Sequence, residues 1–139
     1  MPIPLAARST FWRVALGIYT FSLVCGTHWP STPWPTRLTL VDKLLHFAAY
    51  LVLATLVAMN WAPALTIHRI AFYRRALFGL LIFAAVDELT QGFVPGRYPD
   101  ILDWLADGLG IVVGLILFER LWARWADRFR FTPDDPRQP

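Results

Sequence analysis

Four long apolar stretches, each closed off by polar or turn-forming residues, organise this chain. They run over residues 10–26, 41–62, 75–94 and 101–122, and each predicts a helix. At a rise of 1.5 Å per residue, about 20 residues cover a ~30 Å hydrocarbon core, so each stretch is long enough, or nearly so, to span it. The fourth is the weakest, since its uninterrupted apolar run is confined to residues 108–118. It is expected to insert poorly alone and to rely on the other three to shield its acids. Between the first two stretches, Trp29, Pro30, Pro33, Trp34 and Pro35 predict a non-helical loop with tryptophans at the membrane interface. Pro95-Gly96 marks a turn between the third and fourth. The reading is an all-α membrane protein, with four transmembrane helices in a compact bundle over residues 1–126 and a frayed polar cytoplasmic tail over residues 127–139.

Composition agrees with this picture. The 139 residues are 56% hydrophobic and 17% charged, which excludes a disordered chain and fits one small membrane domain. A single cysteine, Cys25, excludes an intrachain disulfide or a multi-cysteine metal site. Arg8 and Arg13 ahead of the first apolar run resemble the start of a signal peptide. Val24 before Cys25 and the absence of an A-x-A-like site argue that the segment stays uncleaved.

The net charge of +3 does not point to nucleic acid, because the basic residues lie beside apolar runs. Arg8, Arg13, Arg69, Arg74, Arg75, Arg120, Arg124, Arg128, Arg130 and Arg137 fall on one side of the predicted topology, against Arg37, Lys43 and Arg97 on the other. The positive-inside rule then places both termini in the cytoplasm.

The acids are less easily explained. Asp42, Asp87, Glu88, Asp100, Asp103 and Asp107 all fall toward the opposite, outer side. Each carboxylate at a helix centre costs about 2.5–3.5 kcal/mol on insertion scales. Asp42 and His46 stand at i,i+4 on a face that continues to Tyr50. Asp87 and Glu88 stand one turn before Gln91. Asp100, Asp103 and Asp107 form a stripe that runs into Gly110 and Gly114, a G-x-x-x-G pair suited to close helix approach. Asp107 lies roughly 9 Å inside its helix and Asp87 is similarly deep, so each must be paired, hydrated or neutralised. Lys43, Arg97 and His46 are the only cations on hand, leaving the cluster net negative and suited to shared protons or a bound cation.

Plainer explanations account for part of this. Asp100 after Pro99 reads as an N-cap, with Asp103 as a capping-box-like partner, and Asp42 reads equally as a cap of the second helix. Lys43 can snorkel and pair with Asp42, and His46 alone fits a hydrogen-bonded interior residue. Asp87, Glu88 and Asp107 resist such readings because of their depth. Cys25, His28, His68 and the tryptophans carry no spacing that demands chemistry. No G-x-S-x-G, H-E-x-x-H or P-loop pattern is present, and no residue pattern names a cofactor.

Taken together, the stretch Asp42-Lys43-Leu-Leu-His46-Phe47-x-x-Tyr50, then Asp87-Glu88-Leu-Thr-Gln91, Gly96-Arg97 and Asp103-x-x-x-Asp107-x-x-Gly110-x-x-x-Gly114 resemble the VanZ-like family of small bacterial membrane proteins. The resemblance covers roughly residues 41–114, in the same order and helix placement. Asp107 is a departure, since that position is often Asn in such proteins. The resemblance implies a multi-pass protein of the bacterial inner membrane, at the cell-envelope interface. Its founding member is associated with low-level resistance to teicoplanin, and the family's biochemical activity is not established.

Three functions are compatible with these residues. The favoured one is a non-enzymatic envelope protein whose polar site comprises Asp42, Lys43, His46, Tyr50, Asp87, Glu88, Gln91, Arg97, Asp103 and Asp107. Such a site would bind a lipid head group, a lipid-linked wall precursor or a cation, and if a metal is held, His46, Glu88 and Asp107 are its candidate ligands. The second is an intramembrane hydrolase or transferase using carboxylate and histidine acid–base chemistry on a lipid-linked substrate. The third is an accessory subunit packed against a larger membrane protein complex.

Overall fold

Each apolar stretch forms one helix in the computed structural model, which describes residues 5–30, 39–61 and 69–128. The order is α1 (Leu5–Thr27), α2 (Thr39–Trp61), α3 (Arg69–Gln91) and α4 (Ile101–Arg128), and no strand occurs among the described residues. The proline-rich loop beyond Pro30, His68 and the end of the tail lie outside the described residues.

Four helix ends differ from the sequence expectation by three residues or more, one of them the end of α4, which runs six residues further to Arg128. α1 starts earlier, since Leu5, Ala6, Ala7 and Arg8 are all favourable in a helix. α3 starts six residues earlier, at Arg69, and ends at Gln91 rather than at residue 94. That early stop comes from a tightened last turn, in which the amides of Gly92, Phe93 and Val94 donate to the carbonyls of Leu89, Thr90 and Gln91. Val94-Pro95-Gly96-Arg97 then turns the chain, with Gly96 at φ 80° and the Arg97 amide 3.1 Å from the Val94 carbonyl. This is the type II arrangement that needs glycine in its third position.

Contacts at both ends fix the relative directions of the helices. Asn60 near the end of α2 donates to the Trp12 carbonyl near the start of α1 at 3.0 Å. Arg69 at the start of α3 pairs with Glu119 late in α4 at 2.8 Å. At the other end, Thr27 of α1 reaches Asp87 of α3, and Lys43 of α2 reaches Asp103 of α4. The helices therefore run up, down, up and down.

The principal interface joins the parallel pair α2 and α4. A Cβ on Gly110 would collide with the Phe47 carbonyl oxygen, and one on Gly114 would crowd the Leu51 carbonyl. Both glycines are used for close backbone approach.

Polarity is distributed inside out. Leu23, Leu53, Ala54, Leu80, Ala84 and Ile111 share the interior with His46, Asp87, Glu88, Gln91, Asp103 and Asp107. Phe11, Ile18, Phe21, Leu44, Ile82 and Leu109 point outward. Continuous exposed apolar surface of this kind suits hydrocarbon surroundings.

Among the described residues, two helices are long and apolar enough to cross a membrane, over Leu40–Trp61 and Ile101–Trp122, with mean hydropathies of 1.7 and 2.0. α4, expected to be the weakest of the four spans, is therefore the more apolar of the two. Asp103 and Asp107 sit in its first two turns, and a long apolar run separates them from Glu119.

Adding a methyl group at Gly110 should cost about 1–3 kcal/mol, because the obstacle is backbone rather than a flexible side chain. Gly110→Ala is expected to melt several degrees below wild type. Gly17→Ala, with nothing within 4 Å of the added carbon, should melt no lower than wild type. Equal melting temperatures for the two variants would contradict this packing.

Candidate functional site

The start of α4 is held by three partners at once. Asp100 is its N-cap, its Oδ1 accepting from the Leu102 amide at 2.9 Å. The Asp100 amide donates to Glu88 Oε1, across from the end of α3. Glu88 thus fills the place that a capping box would give to Asp103, whose carboxylate is drawn instead to Lys43 at 2.8 Å. Lys43 also donates to Asp100 Oδ2 at 2.9 Å, and neither bond goes to Asp42. Asp42 is no cap either, since α2 begins three residues before it and the Asp42 side chain is exposed.

One turn deeper, His46 Nδ1 lies 3.0 Å from Asp107 Oδ1, with His46 7% exposed and Asp107 1% exposed. The carboxylate fixes Nδ1 as the donor, and Nε2 has no hydrogen-bond partner among the described residues. Tyr50, a further turn along, is wholly buried and donates to Asp87 Oδ2 at 3.3 Å. The Gln91 amide nitrogen sits 3.4 Å from both Asp87 Oδ2 and Glu88 Oε2. Its carbonyl oxygen faces away and accepts from Arg97 at 3.1 Å.

All ten candidate residues therefore fall at one end of the bundle. They divide between a buried layer around His46, Asp87, Glu88 and Asp107, and an outer layer of Asp42 and Arg97. Lys43 and Asp103 lie between them.

A cleft of about 360 Å³ opens onto this end between α1 and α2, lined by Tyr19, Leu23, Asp42, Leu45, His46 and Arg97 among others. His46 thus connects the cleft to the buried acids. Ligand atoms of His46, Glu88 and Asp107 lie within 4.8 Å of one another, as do those of Asp42, His46 and Asp103. An imidazole with two carboxylates is a donor set for a divalent cation.

Sequence reasoning missed the end of α1. Thr27 donates to Asp87 Oδ1 at 3.0 Å. His28 places Nδ1 3.0 Å from the Val24 carbonyl and 3.7 Å from Asp87, and Nε2 3.0 Å from the Thr90 hydroxyl. The only sequence signal was a Thr-His pair closing an apolar run, with no periodic partner to mark it.

The motif-bearing residues share one end of the bundle in their order along the chain, and a family model described as VanZ/LLP1 matches residues 3–123. The chain belongs to the VanZ/LLP1 family. No curated protein and no solved structure matches it. Membership in VanZ/LLP1, together with the apolar α2 and α4, points to a membrane protein.

Removing Lys43 leaves Asp103 buried without its cation, so Lys43→Met should cost about 1–3 kcal/mol. Adding Asp103→Asn should recover part of that loss in thermal melts of the purified protein. Strictly additive losses would show that the two side chains act independently.

Proposed function

We propose that this VanZ/LLP1 protein spans the bacterial inner membrane four times with both termini in the cytoplasm, and that its outer end binds the polar head of an amphiphile. The ligand class is a lipid head group or a lipid-linked wall precursor. The observation that carries the reading is the cleft itself. Leu23 and Leu45 line it alongside His46, so an apolar chain and a polar head can be held together. The buried layer behind His46 keeps the imidazole oriented through Asp107. Any role in teicoplanin resistance would act through the same site and rests on the family resemblance.

Binding of a fluorescent phospholipid to the detergent-solubilised protein tests the site. Asp107→Asn should weaken binding by removing the carboxylate that orients His46, and Glu88→Gln by loosening the start of α4. Unchanged binding in both variants would remove the assignment. Topology is tested separately with C-terminal fusions, where a phosphatase active only outside the cytoplasm should stay inactive. An active fusion would reverse the orientation.

Catalysis on a lipid-linked substrate is the second reading, favoured by the unpartnered Nε2 of an imidazole whose Nδ1 is held by a buried carboxylate. In that case Nε2 would take or give the proton. His46, Glu88 and Asp107 would hold a divalent ion if one were required, and the ion would supply charge neutralisation and Lewis acidity.

A further inference from the structure

Arg97 and Asp42 are opposite charges on the walls of one cleft, yet no ion pair joins them. Arg97 lies beside an acid-rich cluster without bonding to any of its carboxylates. Its Nε donates to the Trp29 carbonyl at 3.1 Å and its Nη1 to the Gln91 side-chain carbonyl at 3.1 Å. Both acceptors are neutral. Gln91 acts as an insulator, since its amide nitrogen faces Asp87 and Glu88 while its oxygen faces the guanidinium. A guanidinium has five N–H donors in a rigid fork, so the two bonds orient Arg97 and leave the remaining donors for an anion.

The acids that would repel an anion are engaged elsewhere. Asp100 and Asp103 are bound by Lys43, and Asp107 by His46. Asp87 accepts from Thr27, Tyr50 and Gln91. Asp42 is the exception, an exposed carboxylate with no hydrogen bond or ion pair among the described residues. His46 and Asp103 are its titratable neighbours in space.

We infer that the cleft selects a zwitterionic phosphate–amine head group, with the phosphate on Arg97 and the ammonium on Asp42. This rests on the amphiphile-binding reading and names the head group. Phosphate matches the guanidinium fork, and an ammonium satisfies the carboxylate that a simple anion would meet as a repulsive neighbour. The apolar wall at Leu23 and Leu45 takes the start of the lipid chain.

The test is native mass spectrometry of the full-length protein in detergent, titrated with phosphatidylethanolamine, phosphatidylglycerol, diacylglycerol and water-soluble phosphoethanolamine. Wild type should prefer phosphatidylethanolamine over phosphatidylglycerol, and both over diacylglycerol. Arg97→Gln should weaken both phospholipids about tenfold, as expected for losing hydrogen bonds to a charged group. Asp42→Asn should weaken phosphatidylethanolamine alone and leave phosphatidylglycerol equal or tighter. A merely structural role for Asp42 would not produce that split.

If all three lipids bind alike, or Asp42→Asn weakens both phospholipids equally, the zwitterion assignment is overturned while amphiphile binding survives. If no lipid binds, the underlying reading fails with it. If phosphoethanolamine binds as tightly as the lipid, the head group stands and the lipid source is overturned.

Discussion

The close approach of two parallel backbones, α2 and α4, sets the geometry of everything at the polar end of the bundle. Glycine at positions 110 and 114 lets α4 rest on the Phe47 and Leu51 carbonyls of α2. Parallel packing then fixes one register for the whole pair. The register that seats Gly110 on Phe47 brings Asp107 to His46 and Asp103 to Lys43 one and two turns earlier. Larger side chains at the glycines would push the helices apart and stretch both contacts. In hydrocarbon, where apolar surface has little reason to leave its surroundings, such small-residue contact is a principal source of helix association.

That arrangement makes the polar interior tolerable. A carboxylate at depth needs a fixed partner, and nearly every buried acid has one from a different helix: Lys43 for Asp103, His46 for Asp107, Thr27 and Tyr50 for Asp87. The hydrogen bonds therefore hold the bundle together and also define its cavity. Such networks confer specificity only when their members are satisfied, and here the members left over, Asp42, Arg97 and His46 Nε2, belong to residues lining the cleft.

Local signals were the legible ones. Apolar runs marked the four helices in order, Pro99-Asp100 marked a cap, and Pro95-Gly96 marked a turn. Partner choice across helices was not legible, because it depends on register and not on spacing within one helix. Lys43 lies one residue from Asp42 in sequence yet bonds to Asp100 and Asp103. Asp103 stands where a capping-box partner belongs, yet Glu88 from another helix takes that amide. Thr27 and His28 were invisible for the same reason, since what makes them matter is Asp87, sixty residues away from Thr27. The relative apolarity of α4 was misjudged by weighing acids that its neighbours conceal.

The bond from the Asp100 amide to Glu88 closes a ring across twelve residues of chain. Within that ring, the Val94–Arg97 turn fixes the path and Gly92 packs against the Pro99 ring. Surface turns are ordinarily where a chain absorbs added or deleted residues, because little is bonded there. This one is laced shut, so its length is as constrained as that of a helix. Natural variation in segment length should therefore spare the corner from α3 to α4 and leave it at a constant count.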